Sequence, residues 1–213
     1  MKVGVLGTGD VGKSLSAGFL ATGHSVMMGS RTADNPAATE WADEAGAEAS
    51  TGTFADAAGY GDLIVVATKG AALAETVEMA GAAKFSGKVV IDVTNPLDFS
   101  KGTPDLAIKG DDSGGETLQR LLPDAHVVKA FNIVNHTLMF RPDLPGGPPD
   151  MFIAGNDTKA KETVTGILKD FGWPAIDLGG IHSARWLEAM TMAWVMAGMA
   201  TQNWRQAFKL LRE

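Results

Sequence analysis

Cysteine is absent from the 213 residues, which excludes disulfides, thiolate metal sites and a cysteine nucleophile. Lysine and arginine form no block: 18 basic residues are scattered among 25 acidic ones, for a net charge of -7. The chain therefore lacks the basic stripe that neutralises nucleic-acid phosphates. Its most apolar stretch, Ala189 to Ala200, is broken by Thr191 and Gly198 and falls short of the ~20 residues a membrane span needs. No leader-like segment precedes the first structural residues, so the expectation is a soluble, cytoplasmic protein without nucleic-acid, membrane or metal partners.

What is plentiful is glycine, 26 residues of it, and the first of them are ordered. Lys2-Val3-Gly4-Val5-Leu6 is an apolar, β-branched run leading into Gly7-Thr8-Gly9-Asp10-Val11-Gly12, followed by a helical stretch from Lys13 to Leu20. Strand, glycine turn and helix in that order meet the context test for a dinucleotide-binding fingerprint. Gly7 permits the tight turn, Gly9 lets a pyrophosphate reach the backbone, and Gly12 lets the helix pack close to the strand. The free N–H groups at the helix start then face the anion.

The strand Ser25–Met28 ends in Gly29-Ser30-Arg31-Thr32, with no acid until Asp34. An Asp or Glu about twenty residues past the glycine turn would grip the ribose 2′-hydroxyl of NAD, whereas arginine accommodates a 2′-phosphate. The hydroxyls of Ser30 and Thr32 and the guanidinium of Arg31 therefore point to NADP.

Further along, strands and helices alternate over short connections. Asn35-Pro36 opens a helix, Leu63–Ala67 and Val89–Val93 are continuous apolar strands, and Ser113 with Glu116 has capping-box spacing ahead of a helix from Gly114 to Leu122. Val127–Asn132, Met151–Gly155 and Pro174–Leu178 read as later strands, with a helix from Asp157 to Phe171 between the last two. The pattern predicts a Rossmann-type, doubly wound, mostly parallel α/β sheet.

Ligands of such sheets lie at the carboxyl ends of the strands. Ala67, Thr68 and Lys69, and Asn95 at the turn Thr94-Asn95-Pro96, are thus candidates to border the cofactor; Lys69 reads equally as a solvated helix-start lysine. Leu97 to Asp112 has no period and reads as a long loop of the functional kind. His24, His126 and His136 stand isolated and read as structural, His136 on a surface helix. Ser183 to Leu211 keeps helical spacing with two apolar faces, so residues 1–181 are expected to bind NADP and residues 182–213 to form a helical extension. That extension would act as a pocket wall, a homodimer contact or both.

These residues together resemble the NADP oxidoreductases that use the deazaflavin coenzyme F-420, and are similar to the oxidoreductase domain of six-transmembrane ferric reductases. The likeness covers nearly the whole chain: Gly7-Thr8-Gly9 with Gly12, Gly29-Ser30-Arg31, Thr94-Asn95-Pro96, Lys129-Ala130-Phe131-Asn132, Gly155-Asn156-Asp157 and Gly179-Gly180. It implies hydride transfer between NADP(H) and a deazaflavin or flavin-like acceptor, with Thr8, Asp10, Val11, Ser30 and Arg31 holding NADP and Ala130 beside it. It also implies that Phe131, Asn132 and Ile133 lie near the nicotinamide, while His182 and Trp186 are acceptor-facing candidates from their place ahead of the last helix. The deazaflavin-using pattern carries histidine at about the position of Asn132. Direct transfer between stacked rings needs no catalytic side chain. Two other functions compete: an imine or hydroxy-acid reductase, for which no lysine is available in the last helix before Lys209, and a non-catalytic NADPH sensor.

Overall fold

A computed structural model describes residues 1–213 as ten strands and seven α-helices. The order is β1 (Lys2–Leu6), α1 (Asp10–Ala21), β2 (Ser25–Ser30), α2 (Pro36–Ala45), β3 (Ala49–Thr53), α3 (Phe54–Tyr60), β4 (Leu63–Val66), α4 (Leu73–Ala80) and β5 (Val89–Asp92). There follow β6 (Leu97–Asp98), β7 (Asp105–Leu106), α5 (Gly114–Leu121), β8 (His126–Lys129), β9 (Met151–Gly155), α6 (Thr158–Asp170), β10 (Ala175–Asp177) and α7 (Ala184–Thr201). Eight strands form one sheet in the order β10-β9-β8-β5-β4-β1-β2-β3.

The expected doubly wound sheet is present. β3, β2, β1, β4, β5 and β8 run parallel, and the chain steps outward from β1 to β3 before crossing back to β4. The switch point between β1 and β4 opens a crevice at their carboxyl ends. β9 pairs antiparallel with β8, and β10 runs parallel to β9.

Strand alternation divides the core. Val3, Val5, Leu63, Val65, Ile91 and Val128 face α1, α2 and α6, where Phe19 and Phe171 pack edge to face at 5.1 Å. Leu6, Ile64, Val66, Val90 and Val127 face the opposite side, under α3, α4, α5 and the start of α7. Residues 63–66 are all buried, as a strand covered on both faces requires.

Four local expectations change. The predicted loop from Leu97 to Asp112 contains an antiparallel hairpin, β6 with β7. The Ser113 cap is half of a capping box: its hydroxyl accepts from Glu116 N at 3.1 Å, but Ser113 N donates to Asp112 rather than to Glu116. His136 sits on a single 3-10 turn rather than a helix. The last helix stops at Thr201 instead of running to Leu211, because Gln202 adopts a left-handed backbone, φ 55°, and turns the chain back. Beyond it, Trp204 packs at a tilt against Trp194, ring centres 5.4 Å apart, Phe208 O accepts from Asp150 N and Leu210 N donates to Asp150 Oδ2. No helix is long and apolar enough to cross a membrane.

Candidate functional site

The crevice is built on three glycines, each required for a different reason. Gly7 ends β1 at φ 129°, a conformation open to glycine, and a Cβ there would strike the Ala67 carbonyl. A Cβ on Gly12 would run into the Gly7 carbonyl, so α1 packs this closely on the turn only without a side chain. Gly9 is different: nothing lies within 4 Å of where its Cβ would be. No neighbour in the chain demands glycine at that position, whereas a ligand approaching the backbone does. Gly9 is also the N-cap of α1 and supplies no side-chain cap, so the leading N–H groups of a 12-residue helix face open space, as an anion site requires.

Two chambers share the walls Ala67, Thr68 and Lys69. The first, about 350 Å³, joins Gly7, Thr8 and Gly9 to Ser30, Arg31 and Asn35, with Glu75 at its rim. Ser30 is buried at the end of β2, its hydroxyl donating to Thr32 O, which curls the chain and leaves Arg31 exposed beside the chamber. The second, about 360 Å³, is mostly apolar: Val11, Val93, Leu97 and Phe99 surround Thr94 and Asn95, and Lys69 is its single charged side chain. The residues present therefore fit a dinucleotide: bare N–H groups for a diphosphate, hydroxyl and guanidinium for a further phosphate, and a mostly apolar recess beyond.

Beneath the recess lies a buried charged cluster. Lys129 at the end of β8 reaches Asp92 Oδ2 at 3.0 Å, Glu188 Oε1 on α7 at 2.8 Å and the Thr94 carbonyl at 2.6 Å. Glu188 also accepts from Gly114 N and Gly115 N at the start of α5, both at 3.0 Å. Burial by itself would pull the Lys129 ammonium down, but the Asp92 and Glu188 carboxylates outweigh it and hold it above the ordinary lysine range. One layer nearer the recess, Asn95 Nδ2 donates to Asn132 O at 2.8 Å, Asn132 Nδ2 donates to Leu187 O at 2.9 Å, and Thr191 Oγ1 donates to Asn95 Oδ1 at 2.9 Å. These bonds tie α7 to the strand ends that form the recess.

Several expected site residues lie elsewhere. The Asn95 residue borders the recess, but its amide is turned down to Asn132 and Thr191 instead of into the crevice. Phe131, at φ 60°, and Ile133 are each 1% exposed and packed in the core, where the Phe131 ring meets Phe171 at 6.0 Å. Asn132 is buried under Asn95 and supports the recess without facing an acceptor. His182 and Trp186 do not reach it: β9 and β10 both run opposite to β8, so the turn Ile181–Ser183 that follows β10 begins at the opposite rim, where Ile181 N donates to Asn156 Oδ1, and Trp186 stands 65% exposed on the outer face of α7. Asp10, Thr32 and the buried Ala130 line neither chamber. Val93, Leu97, Phe99 and Glu75 were not foreseen. Only the period-two pair Leu97 and Phe99 left a trace, in a stretch with no other regularity.

A strand–glycine turn–helix unit with a crevice at the switch point defines a dinucleotide-binding α/β protein. A family model described as NADP oxidoreductase, coenzyme F420-dependent, matches residues 2–96. The F420-dependent NADP reductase of Methanothermobacter marburgensis is 30% identical over 203 residues, covering 90% of this chain and 89% of that protein. A crystal structure from Arthrobacter sp. FB24, provisionally assigned as an F420-dependent NADP reductase, is 38% identical, with TM-score 0.94 and full coverage of both chains. Metalloreductase STEAP3 of Rattus norvegicus is 31% identical over 196 residues, and the chain spans 36% of its length. The chain belongs to the F420-dependent NADP oxidoreductase family. An imine reductase of Aspergillus terreus, at 19% identity and TM-score 0.69, shares the fold.

Proposed function

We propose that this protein is an NADP-dependent oxidoreductase that transfers hydride between NADP(H) and a deazaflavin or flavin-like acceptor. The observation that carries the reading is the joining of Ser30 and Arg31 to the Gly7–Gly9 turn in one chamber, with a mostly apolar recess next to it. NADPH held there would supply a hydride, two electrons and one proton, to the acceptor, whose second proton would come from solvent. The helix start at Gly9 holds the diphosphate, and Arg31 with Ser30 holds the 2′-phosphate. Val11, Ala67 and Val93 cover one ring and keep water from it. Residues 1–181 bind the coenzyme, and residues 182–213 brace the recess. The exposed Trp186, Met196 and Met199 of α7 form the contact of a homodimer.

The chain's own groups suit ring-to-ring transfer better than imine or carbonyl reduction, which needs a proton donor at the substrate; the recess offers Lys69 alone. NADPH oxidation followed with a deazaflavin, riboflavin, FMN, FAD, a quinone, an imine and a keto acid tests this. Turnover with the tricyclic rings is expected. Turnover confined to the imine or keto acid overturns the reading, and binding of NADPH without any turnover points to a sensor.

A further inference from the structure

Phe99 is 63% exposed, yet it forms part of the wall of the apolar recess. Its position is built rather than incidental. Alternation along β6 puts Leu97 and Phe99 on the side of the recess and Asp98 on the other. The hairpin is pinned to the strand-end turn by Ala107 N donating to Pro96 O at 2.7 Å, and at its other strand by Leu106, buried against α7.

The backbone at Phe99 is equally fixed. Phe99 O accepts from Gly102 N at 3.1 Å, closing a turn, and Asp98 accepts from Ser100 N at 2.8 Å and Ser100 Oγ at 3.0 Å. The tip that follows is polar: Ser100, Lys101, Gly102 and Thr103. A lone aromatic ring thus stands uncovered on a braced turn, across the recess from the strand ends where the nicotinamide would lie. A planar acceptor has two faces, and hydride transfer uses one of them. The other face needs an apolar cover if water is to be kept out.

We propose that Phe99 is that cover, an acceptor-binding residue whose ring packs on the outer face of a tricyclic isoalloxazine-type acceptor. The inference rests on the reading of the recess given above and adds the residue that selects a flat, aromatic acceptor. Because Phe99 contributes nothing to the core, its replacement leaves the fold and the coenzyme chamber in place.

The experiment uses the full chain and the variants Phe99→Ala and Phe99→Tyr, with 5-deazariboflavin and FMN as separate acceptors and quenching of FMN fluorescence in the presence of NADP⁺ as a second readout. Loss of a stacked ring is expected to raise the acceptor KM and the FMN Kd about tenfold in the alanine variant. The KM for NADPH stays unchanged, and tyrosine restores both acceptor values. A larger change with one acceptor than with the other identifies which ring the site prefers and supports the proposal. Equal rises in the NADPH and acceptor values, or no change in either, overturn it. If the wild-type protein binds FMN but reduces neither ring, the hydride-transfer reading fails, and the quenching series alone decides for or against Phe99. Absence of any ring binding by the wild type overturns both.

Discussion

The glycine turn after β1 and the Lys129 cluster at the end of β8, with β4 and β5 between them, lie at the same rim of the sheet and are built on opposite rules. At Gly9 the backbone N–H groups of α1 are left uncapped and the space in front of them is clear. At Lys129 the ammonium meets two carboxylates and a carbonyl, and the peptide N–H groups at the start of α5 are taken up by Glu188. Both are helix N-termini facing negative charge. One anion is a side chain of the protein, and the other has to come from outside. A polar group left open marks binding; one fully paired marks bracing.

The sharpest way to break the contrast is to remove the internal cation. Lys129→Met would leave two buried carboxylates unpaired and should cost about 3–5 kcal/mol of stability, read as a lowered urea midpoint. Next, Gly9→Val should leave the unfolding midpoint near that of the wild type, since its Cβ meets nothing in the chain. It should weaken NADPH at least tenfold by calorimetry, the equivalent of ~1.4 kcal/mol. Loss of both folding and binding would mean that the open space at Gly9 is not a ligand's place. Arg31→Ala should weaken NADPH by roughly ten- to a hundredfold while leaving NADH unchanged, as expected for a charge-assisted bond to phosphate; an equal effect on the two would remove Arg31 from its assigned role. Thr191→Val, which cuts the link from α7 to Asn95, should cost about 1 kcal/mol of stability.

The smallest effect concerns pH. Glu116 is held below the ordinary carboxylate range, chiefly by hydrogen bonds from Arg185 on α7. A folded pKa below the unfolded one gives stability that is complete above the ordinary value of 4.5 and is lost as pH falls through the lowered value. Lys129 has the opposite sign. Its folded pKa is raised, so its contribution is complete below the ordinary value of 10.5 and fades only as pH rises past it. The acid limb of stability should therefore flatten in Glu116→Gln, with the alkaline limb unchanged. A change confined to the alkaline limb would contradict the assignment.

Local order carried most of what could be read from the chain. The strand, turn and helix of residues 2–21, the acid-free end of β2 and the continuous apolar strands depend on near neighbours, and they are where the sequence put them. Contacts between distant segments were less accessible. Nothing in Glu188 announced a partner 59 positions earlier at Lys129, and the helical spacing through Leu211 carried no sign of the left-handed turn at Gln202. Phe131 and Ile133 were placed beside the coenzyme by resemblance, but a backbone turn after β8 sends the Phe131 ring into the core. The hairpin at 97–106 has two-residue strands, too short for alternation to be recognised ahead of the structure.

The reversal of β9 and β10 decides where the chain's last helix arrives. Had that pair run with β8, α7 would set out from the rim that holds the crevice and lead away from it. Starting from the far rim, it climbs the depth of the sheet, passes the strand ends at Thr191 and overhangs them by ten residues, about 15 Å at ~1.5 Å per residue. Two inverted strands thus carry the far half of α7, with Met192, Met196 and Met199, past the strand ends to which Thr191 is bonded.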